Sequence, residues 1–136
     1  MKKILKNWIK KYLKKHLNVH PKNYYFLRWL ADMGKNEKQM DDICAGVARW
    51  MYDTDESNLL GHLNDLFVVD NNVYIVTFRP GLWIGKSGQT VESLKHSLNY
   101  NIDGEKINDY DIRFIEVHKQ PYSEVLSYAY MYANNW

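Results

Sequence analysis

Apolar residues recur three and four positions apart over residues 3–17, and lysines occupy most of the positions between them. This spacing predicts an amphipathic, strongly basic helix, because side chains three or four apart share one helix face. Asn18 and Pro21 end it, since proline has no N–H to donate and its ring obstructs the preceding turn. The apolar positions are Ile4, Leu5, Trp8, Ile9, Tyr12, Leu13 and Leu17.

Two further helices are predicted before the middle of the chain. Residues 23–33 are rich in aromatic and apolar side chains and predict a second, more buried helix that ends at Gly34. Residues 36–52 keep a helical period and predict a third helix. The polar residues 53–58 interrupt this pattern and supply capping side chains. We therefore divide the chain into a basic helical region, residues 1–56, and a second unit, residues 57–136.

The second unit mixes short helical and strand patterns. Leu59, Leu60, Leu63 and Leu66 predict a short fourth helix. Residues 67–69 and 73–78, joined by the run Asp-Asn-Asn, predict a β-hairpin because these turn residues tolerate a positive φ. A helix follows residue 88, then a polar insertion over residues 101–111, a strand over 112–117 and a Tyr-rich closing helix over 122–134. The order predicts an α+β fold.

Charge is distributed unevenly along the 136 residues. Residues 1–31 carry nine Lys or Arg and no acid, whereas residues 32–136 carry nine bases against sixteen acids, a net charge of −7. The basic end is where an anionic partner would be held. Cys44 is the only cysteine, which excludes an intrachain disulfide and favours a reducing, cytoplasmic setting.

The stretch with the most chemical information surrounds Gly85-Lys86-Ser87-Gly88. A predicted strand runs into Arg79-Pro80-Gly81, then into a single helical turn that carries Ile84, and a new helix opens at Gln89. Two glycines three apart let the backbone approach another chain without Cβ obstruction. The N–H groups at the start of the next helix and the charge of Lys86 suit a phosphate.

This stretch resembles the K-homology (KH) domain, whose signature places an apolar residue before Gly-x-x-Gly and another three residues after it. Ile84 and Val91 occupy those two positions. The order of strand, Arg-Pro-Gly and Ile-Gly-Lys-x-Gly looks like the type II version in the third protein of the ribosomal small subunit. Residues 112–119 are similar to that family's closing strand. The resemblance covers about residues 57–121.

The resemblance implies a type II KH fold, a mixed three-stranded sheet packed on helices, here with an N-terminal helical extension. It also implies a binding module for single-stranded RNA or rRNA, with single-stranded DNA as a further candidate, in which the loop clamps the backbone of about four nucleotides. Carried over by position, the loop residues hold phosphates, and Ile84, Val91 and Leu94 line or support an apolar groove that receives the bases. The implied RNA-binding residues are Arg79, Ile84, Gly85, Lys86, Ser87, Gly88, Val91, Leu94 and Lys95.

The basic helix offers an auxiliary contact to the RNA backbone. We favour RNA over a membrane surface as its partner, because its apolar side is needed to pack on the next two helices. An equally simple interpretation is a solvated face of a packed helix. The lysines concerned are Lys3, Lys6, Lys10, Lys11 and Lys14.

The sequence favours binding over catalysis and implies neither a cofactor nor a metal. The five histidines show no metal-ligand spacing, and Pro80 stands where a phosphate-binding P-loop needs glycine. Residues 1–56 do not look like the ribosomal protein, and the insertion over residues 101–111 is longer and more acidic than expected. The alternative function is therefore a non-catalytic scaffold or assembly protein that docks on a ribosome, a virion or another particle.

Overall fold

The computed structural model of the chain describes residues 23–34 and 36–118, which form a mixed α+β fold. Two helices, α1 (Tyr24–Met33) and α2 (Glu37–Asp53), come first, and a 3-10 helix (Ser57–His62) follows them. Strands β1 (Asp65–Val69) and β2 (Asn72–Thr77) then lead to helix α3 (Pro80–Ile84). A 3-10 turn (Lys86–Gly88), helix α4 (Gln89–Asn99) and strand β3 (Asp111–Glu116) complete the described part.

The predicted hairpin is confirmed, although β1 begins earlier than the apolar pattern indicated. β1 and β2 are antiparallel, with Asp65 opposite Val76 and Val69 opposite Asn72. The connection consists of Asp70 and Asn71, and Asp70 has a φ of 54°. Asp tolerates this left-handed conformation better than most residues, which explains why the chain reverses here.

A helical crossover connects β2 to β3 and makes the sheet mixed. β3 pairs in parallel with β2, from Asn72 opposite Asp111 to Thr77 opposite Glu116, so the strand order is β1-β2-β3. Parallel neighbours need a long connection, and α3 and α4 provide it. The mixed three-stranded sheet predicted for the second half of the chain is thereby confirmed.

One face of the sheet packs on α2, α3 and α4. Val73 and Ile75 of β2 and Ile112 and Phe114 of β3 are fully buried there. The helices contribute Ile43, Val47, Trp50, Met51, Trp83, Ile84, Val91, Leu94 and Leu98 to the same core. Because α2 belongs to this core, packing is continuous across the boundary that the sequence placed between residues 56 and 57.

The other face of the sheet packs on α1. Tyr74, Val76 and Ile115 belong to this side, and Phe67 of β1 joins them. The residues of α1 that lie against this cluster are spaced three and four apart, and they are Tyr24, Leu27 and Ala31. None of the residues of α1 is fully buried. The helix over residues 3–17, relative to which α1 was predicted to be more buried, lies outside the described residues.

Two smaller differences concern local structure. The short fourth helix is a 3-10 helix that ends at His62, and Leu66 lies in β1. The insertion before β3 is held by buried Asn99: its amide donates to the carbonyl of Tyr110 at 2.9 Å, and its Oδ1 accepts from the N–H of Tyr110 at 2.6 Å. This pair of hydrogen bonds closes the loop at the start of β3.

The helices predicted over residues 3–17 and 122–134 lie outside the described residues. Within residues 23–34 and 36–118, no helix combines the length and the apolar character needed to cross a bilayer.

Candidate nucleic-acid interface

The glycine loop joins α3 to α4 in very few residues. The N–H of Gly85 donates to the carbonyl of Gly81 at 3.0 Å and ends α3. The N–H of Gly88 donates to the carbonyl of Gly85 at 3.2 Å and closes the 3-10 turn. Gly88 then serves as the N-cap of α4, which has no side-chain cap. The first N–H of α4, that of Gln89, donates to the carbonyl of Lys86, and no side chain of the N-cap residue takes part.

The backbone of this loop takes conformations that few residues accept. Gly85 has φ 75° and ψ 179°, a region that is almost exclusive to glycine. Gly88 is left-handed with φ 75° and ψ 12°, and Ser87 has φ 56° and ψ 24°. Ser87 therefore carries backbone strain that the surrounding turn must maintain.

A close contact with Thr90 gives Gly85 a second reason to be glycine. A Cβ at position 85 would lie 2.0 Å from the Thr90 hydroxyl oxygen and 2.6 Å from its Cβ. No side chain can enter this space without moving the first turn of α4. Sequence reasoning did not single out Thr90, because its role depends on a contact rather than on a motif.

The cations predicted around the loop differ in their surroundings. Lys86 and Arg79 are exposed and form no ion pair within the described part of the chain. Lys95 lies on α4 and pairs with Asp111 at 3.4 Å, between the Nζ and Oδ1 atoms. Lys86 and Arg79 are therefore available to an anion, whereas Lys95 would first have to leave Asp111.

The apolar residues predicted for the base-binding groove lie inside the protein. Ile84, Val91 and Leu94 are each 1% exposed and belong to the main core. They hold α3 and α4 together beneath the loop, so they support the site rather than line an open surface. Leu82, which is 37% exposed on α3, is an apolar side chain near the loop that a ligand could contact.

The acidic insertion lies at the far end of α4 from the glycine loop. α4 has eleven residues, which separates its two ends by about 16 Å. Asn101 orders the insertion through its Oδ1, which accepts from the N–H groups of Asp103 and Glu105. Lys106 pairs there with Asp109 at 3.0 Å. The carboxylates of the insertion are thus kept away from the glycine loop, and Glu92, in the first turn of α4, is the acidic residue of that helix closer to it.

A cleft of about 430 Å³ lies elsewhere, between α1, the start of α2 and strand β1. Asp32, Glu37, Asp41 and Asp70 line it, and Arg28 is the basic residue among the described residues of the lining. This charge is unfavourable for a phosphate backbone, so we place the candidate interface at the loop rather than in the cleft. Within residues 23–34 and 36–118, no cluster of three or more His, Cys, Asp or Glu is arranged to hold a metal ion.

The auxiliary lysines Lys3, Lys6, Lys10, Lys11 and Lys14 lie outside the described residues. In comparisons with protein-family models, curated proteins and solved structures, nothing matches this chain.

Proposed function

We propose that this protein is a non-catalytic, cytoplasmic module that binds single-stranded RNA, or single-stranded DNA, through a type II KH fold. The observation that carries the proposal is the loop between α3 and α4. Its glycines take backbone conformations that favour glycine, it carries the exposed Lys86, and it opens an uncapped helix. These features suit close contact with a sugar-phosphate backbone.

The order of the elements supports the same proposal. The resemblance implies a hairpin, two helices joined by the glycine loop and a final strand in a mixed sheet. β1 and β2 are antiparallel, β3 is parallel to β2, and the loop lies in the crossover between them. The loop is thereby positioned by the core of the protein and does not depend on an isolated surface turn.

In the proposed mechanism the loop binds the backbone and neighbouring side chains contact the bases. The positive end of the α4 dipole and the Lys86 ammonium group hold successive phosphates. Arg79, also exposed, extends this contact. Because phosphate contacts carry no sequence information, we expect only modest sequence preference.

The test is a charge reversal in the loop. Lys86→Asp with Ser87→Asp places two carboxylates where phosphates would lie. Lys86 is exposed, and Asp tolerates the left-handed backbone of position 87, so the fold should persist. Removing two hydrogen bonds to charged phosphates should weaken binding by roughly 100-fold or more. Fluorescence anisotropy with short RNA and DNA oligomers, at about 50 and 200 mM salt, measures the affinity of the wild type and of the double variant.

A matched control separates the loop from the overall charge. Lys38 and Asn71 are both exposed, and they lie at the hairpin end of the molecule, where Gln39 donates to the carbonyl of Asp70. Strand β2 separates this end from α3 and the loop. Lys38→Asp with Asn71→Asp makes the same change in net charge and should leave most of the affinity in place. Equal reductions in affinity in the two double variants, each shown to be folded by circular dichroism, would remove the loop from the proposal.

The second candidate function is a scaffold that docks on a ribosome or another particle. The described residues favour it in one respect, since they carry eight Lys or Arg against fifteen Asp or Glu, a net charge of −7. Such a surface repels nucleic acid outside the loop. If the folded wild-type protein binds no oligomer at either salt concentration, the scaffold is the better proposal.

A further inference from the structure

The outer side of α1 exposes an unusual amount of apolar surface. Tyr25, Phe26, Trp29 and Met33 are between 54% and 80% exposed. The rings of Phe26 and Trp29 are stacked, with centroids 6.1 Å apart. Tyr25, Trp29 and Met33 are spaced by four residues and therefore form one continuous strip. An exposed strip of this kind marks a surface that another element covers.

The inner side of α1 is already occupied, so rotation of the helix cannot hide the strip. Tyr24, Leu27 and Ala31 pack on the outer face of the sheet. Arg28 pairs with Asp65 at 3.2 Å and fixes this orientation. α1 is thus apolar on two opposite sides, which is typical of a helix that lies between two layers.

We propose that the apolar side of residues 3–17 covers the outer strip of α1 in an antiparallel arrangement. Residues 3–17 lie outside the described residues, but their sequence repeats apolar positions at helical spacing. Six residues, 18–23, separate this segment from the first residue of α1, which is a usual length for the connection between two antiparallel helices. The arrangement sets Tyr12 opposite Trp29 and Trp8 opposite Met33.

Charge and connectivity favour residues 3–17 over the C-terminal residues 119–136 as the segment that covers α1. Residues 1–22 carry eight Lys and no acid, and the described residues have a net charge of −7. Residues 119–136 follow β3, which the strand order places two strands from β1, the strand that α1 contacts. Two strand spacings amount to about 10 Å, which the segment would have to span to reach α1, whereas residues 18–23 lead directly into it.

This cover would leave the lysines of residues 3–17 directed away from α1. An apolar strip would thus be replaced by a basic surface on the side of the sheet opposite to the glycine loop. The proposal does not depend on RNA binding at that loop, because it rests on the exposed strip of α1 and on the spacing, charge and position of residues 3–17.

Engineered cysteines in the full chain test the arrangement. Cys44 is the only cysteine, so a Cys44→Ser background leaves no competing thiol. We expect Trp8→Cys with Met33→Cys to form an intramolecular disulfide on mild oxidation, detected as a faster-migrating monomer on a non-reducing gel. The matched control is Lys10→Cys with Met33→Cys, because Lys10 lies on the opposite side of the predicted helix and should crosslink at least tenfold less.

A second cysteine pair tests the same arrangement in case the first pair of substitutions disturbs the packing. Tyr12→Cys with Trp29→Cys should also crosslink, and Lys14→Cys with Trp29→Cys should not. Circular dichroism before oxidation checks that each variant is folded. Failure of both pairs would overturn the proposal, as would disulfides that form mainly between two molecules, which would place a second copy on α1. A disulfide that forms more readily in Met33→Cys with Tyr128→Cys would overturn it in favour of the C-terminal segment.

Discussion

Gly85 is the residue on which the shape of the loop depends most directly. Its φ of 75° with ψ of 179° excludes other residues, and Thr90 fills the space that a Cβ would need. The two constraints are independent, since one concerns the backbone and the other a neighbouring side chain. The sequence motif indicates only that position 85 is glycine, whereas the close approach of Thr90 explains why a larger residue does not fit there.

We expect Gly85→Ala to lower the free energy of unfolding by about 2–4 kcal/mol, because it adds backbone strain to a steric clash. Urea denaturation measures this decrease. Thr90→Gly in the same chain should restore part of the stability, since it removes the atoms closest to the new methyl group.

Gly81 provides the comparison for that substitution. It lies in α3, and a Cβ there would meet nothing within 4 Å. Gly81→Ala should therefore be neutral or stabilising by up to about 1 kcal/mol. Similar decreases in stability at positions 81 and 85 would contradict the geometric explanation.

At the scale of elements, α1 is attached to the sheet by a polar contact beside an apolar one. The Tyr24 hydroxyl donates to Asp65 Oδ2 at 2.6 Å, and the Arg28 guanidinium reaches the same carboxylate. Arg28 also lies over the Phe67 ring, 5.5 Å from its centroid. Burial first, and the hydrogen bond to Asp65 second, raise the pKa of Tyr24 above its ordinary value of 10.0.

Tyr24→Phe should destabilise the protein by about 1–2 kcal/mol at neutral pH, because it removes a hydrogen bond to a charged group. The fold holds the neutral phenol, so the stability due to the raised pKa is fully present below pH 10.0 and is lost as the pH rises above it. The difference in unfolding free energy between wild type and variant should therefore shrink above pH 10.0.

The neighbouring residue serves as its control. Tyr25 is 80% exposed, and Tyr25→Phe should change little at either pH. The pKa of Tyr74 is also raised by burial. Its effect is the same in the wild type, Tyr24→Phe and Tyr25→Phe, so it cancels when their unfolding free energies are compared. A constant difference between wild type and the Tyr24 variant across pH 10.0 would contradict the role assigned to the Tyr24 hydroxyl.

The sequence predicted most elements because each carries a local signal. The period of the apolar residues identified α1, α2 and α4, and the turn residues around Asp70 identified the hairpin. Burial was harder to predict. An apolar helix such as α1 has the same pattern whether both of its sides are covered or only one is, and only the three-dimensional structure distinguishes them.

In the candidate site, too, the sequence predicted residues in consecutive positions but not the contacts between elements. The glycines and Lys86 could be predicted because a motif places them in consecutive positions. The pairing of Lys95 with Asp111 and the packing of Thr90 under Gly85 could not, since both depend on how α4 lies in the fold. The apolar positions around the loop were also predicted, but the sequence does not distinguish a groove from the core beneath it. They are Ile84, Val91 and Leu94.

At the scale of the whole molecule, charge separates into two regions. The described residues have a net charge of −7, and the first 22 residues carry eight lysines. For an RNA ligand this division assigns a local contact to the glycine loop and a long-range attraction to the N-terminal segment. The two contributions should respond differently to salt.

Replacing Lys10 and Lys14 by glutamine should reduce the dependence of RNA affinity on salt, with a slope lower by about 0.7 for each phosphate that the variant no longer neutralises. Affinity at high salt should change less. The control is Lys38→Gln with Lys106→Gln, which makes the same change in charge on exposed lysines of the described part. An equal decrease in slope for both double variants would mean that net charge alone governs the attraction.

The parallel pairing of β2 with β3 also bears on synthesis of the chain from its N-terminus. The hairpin β1–β2 joins neighbouring residues, whereas β3 reaches its partner only after α3, the loop and α4 have been made. Contacts between distant parts of a chain form slowly because the intervening segment must first be ordered. A nascent chain that ends before residue 111 therefore contains the loop sequence without the strand that closes the crossover. We expect the loop to acquire its fixed shape only once β3 has left the ribosome.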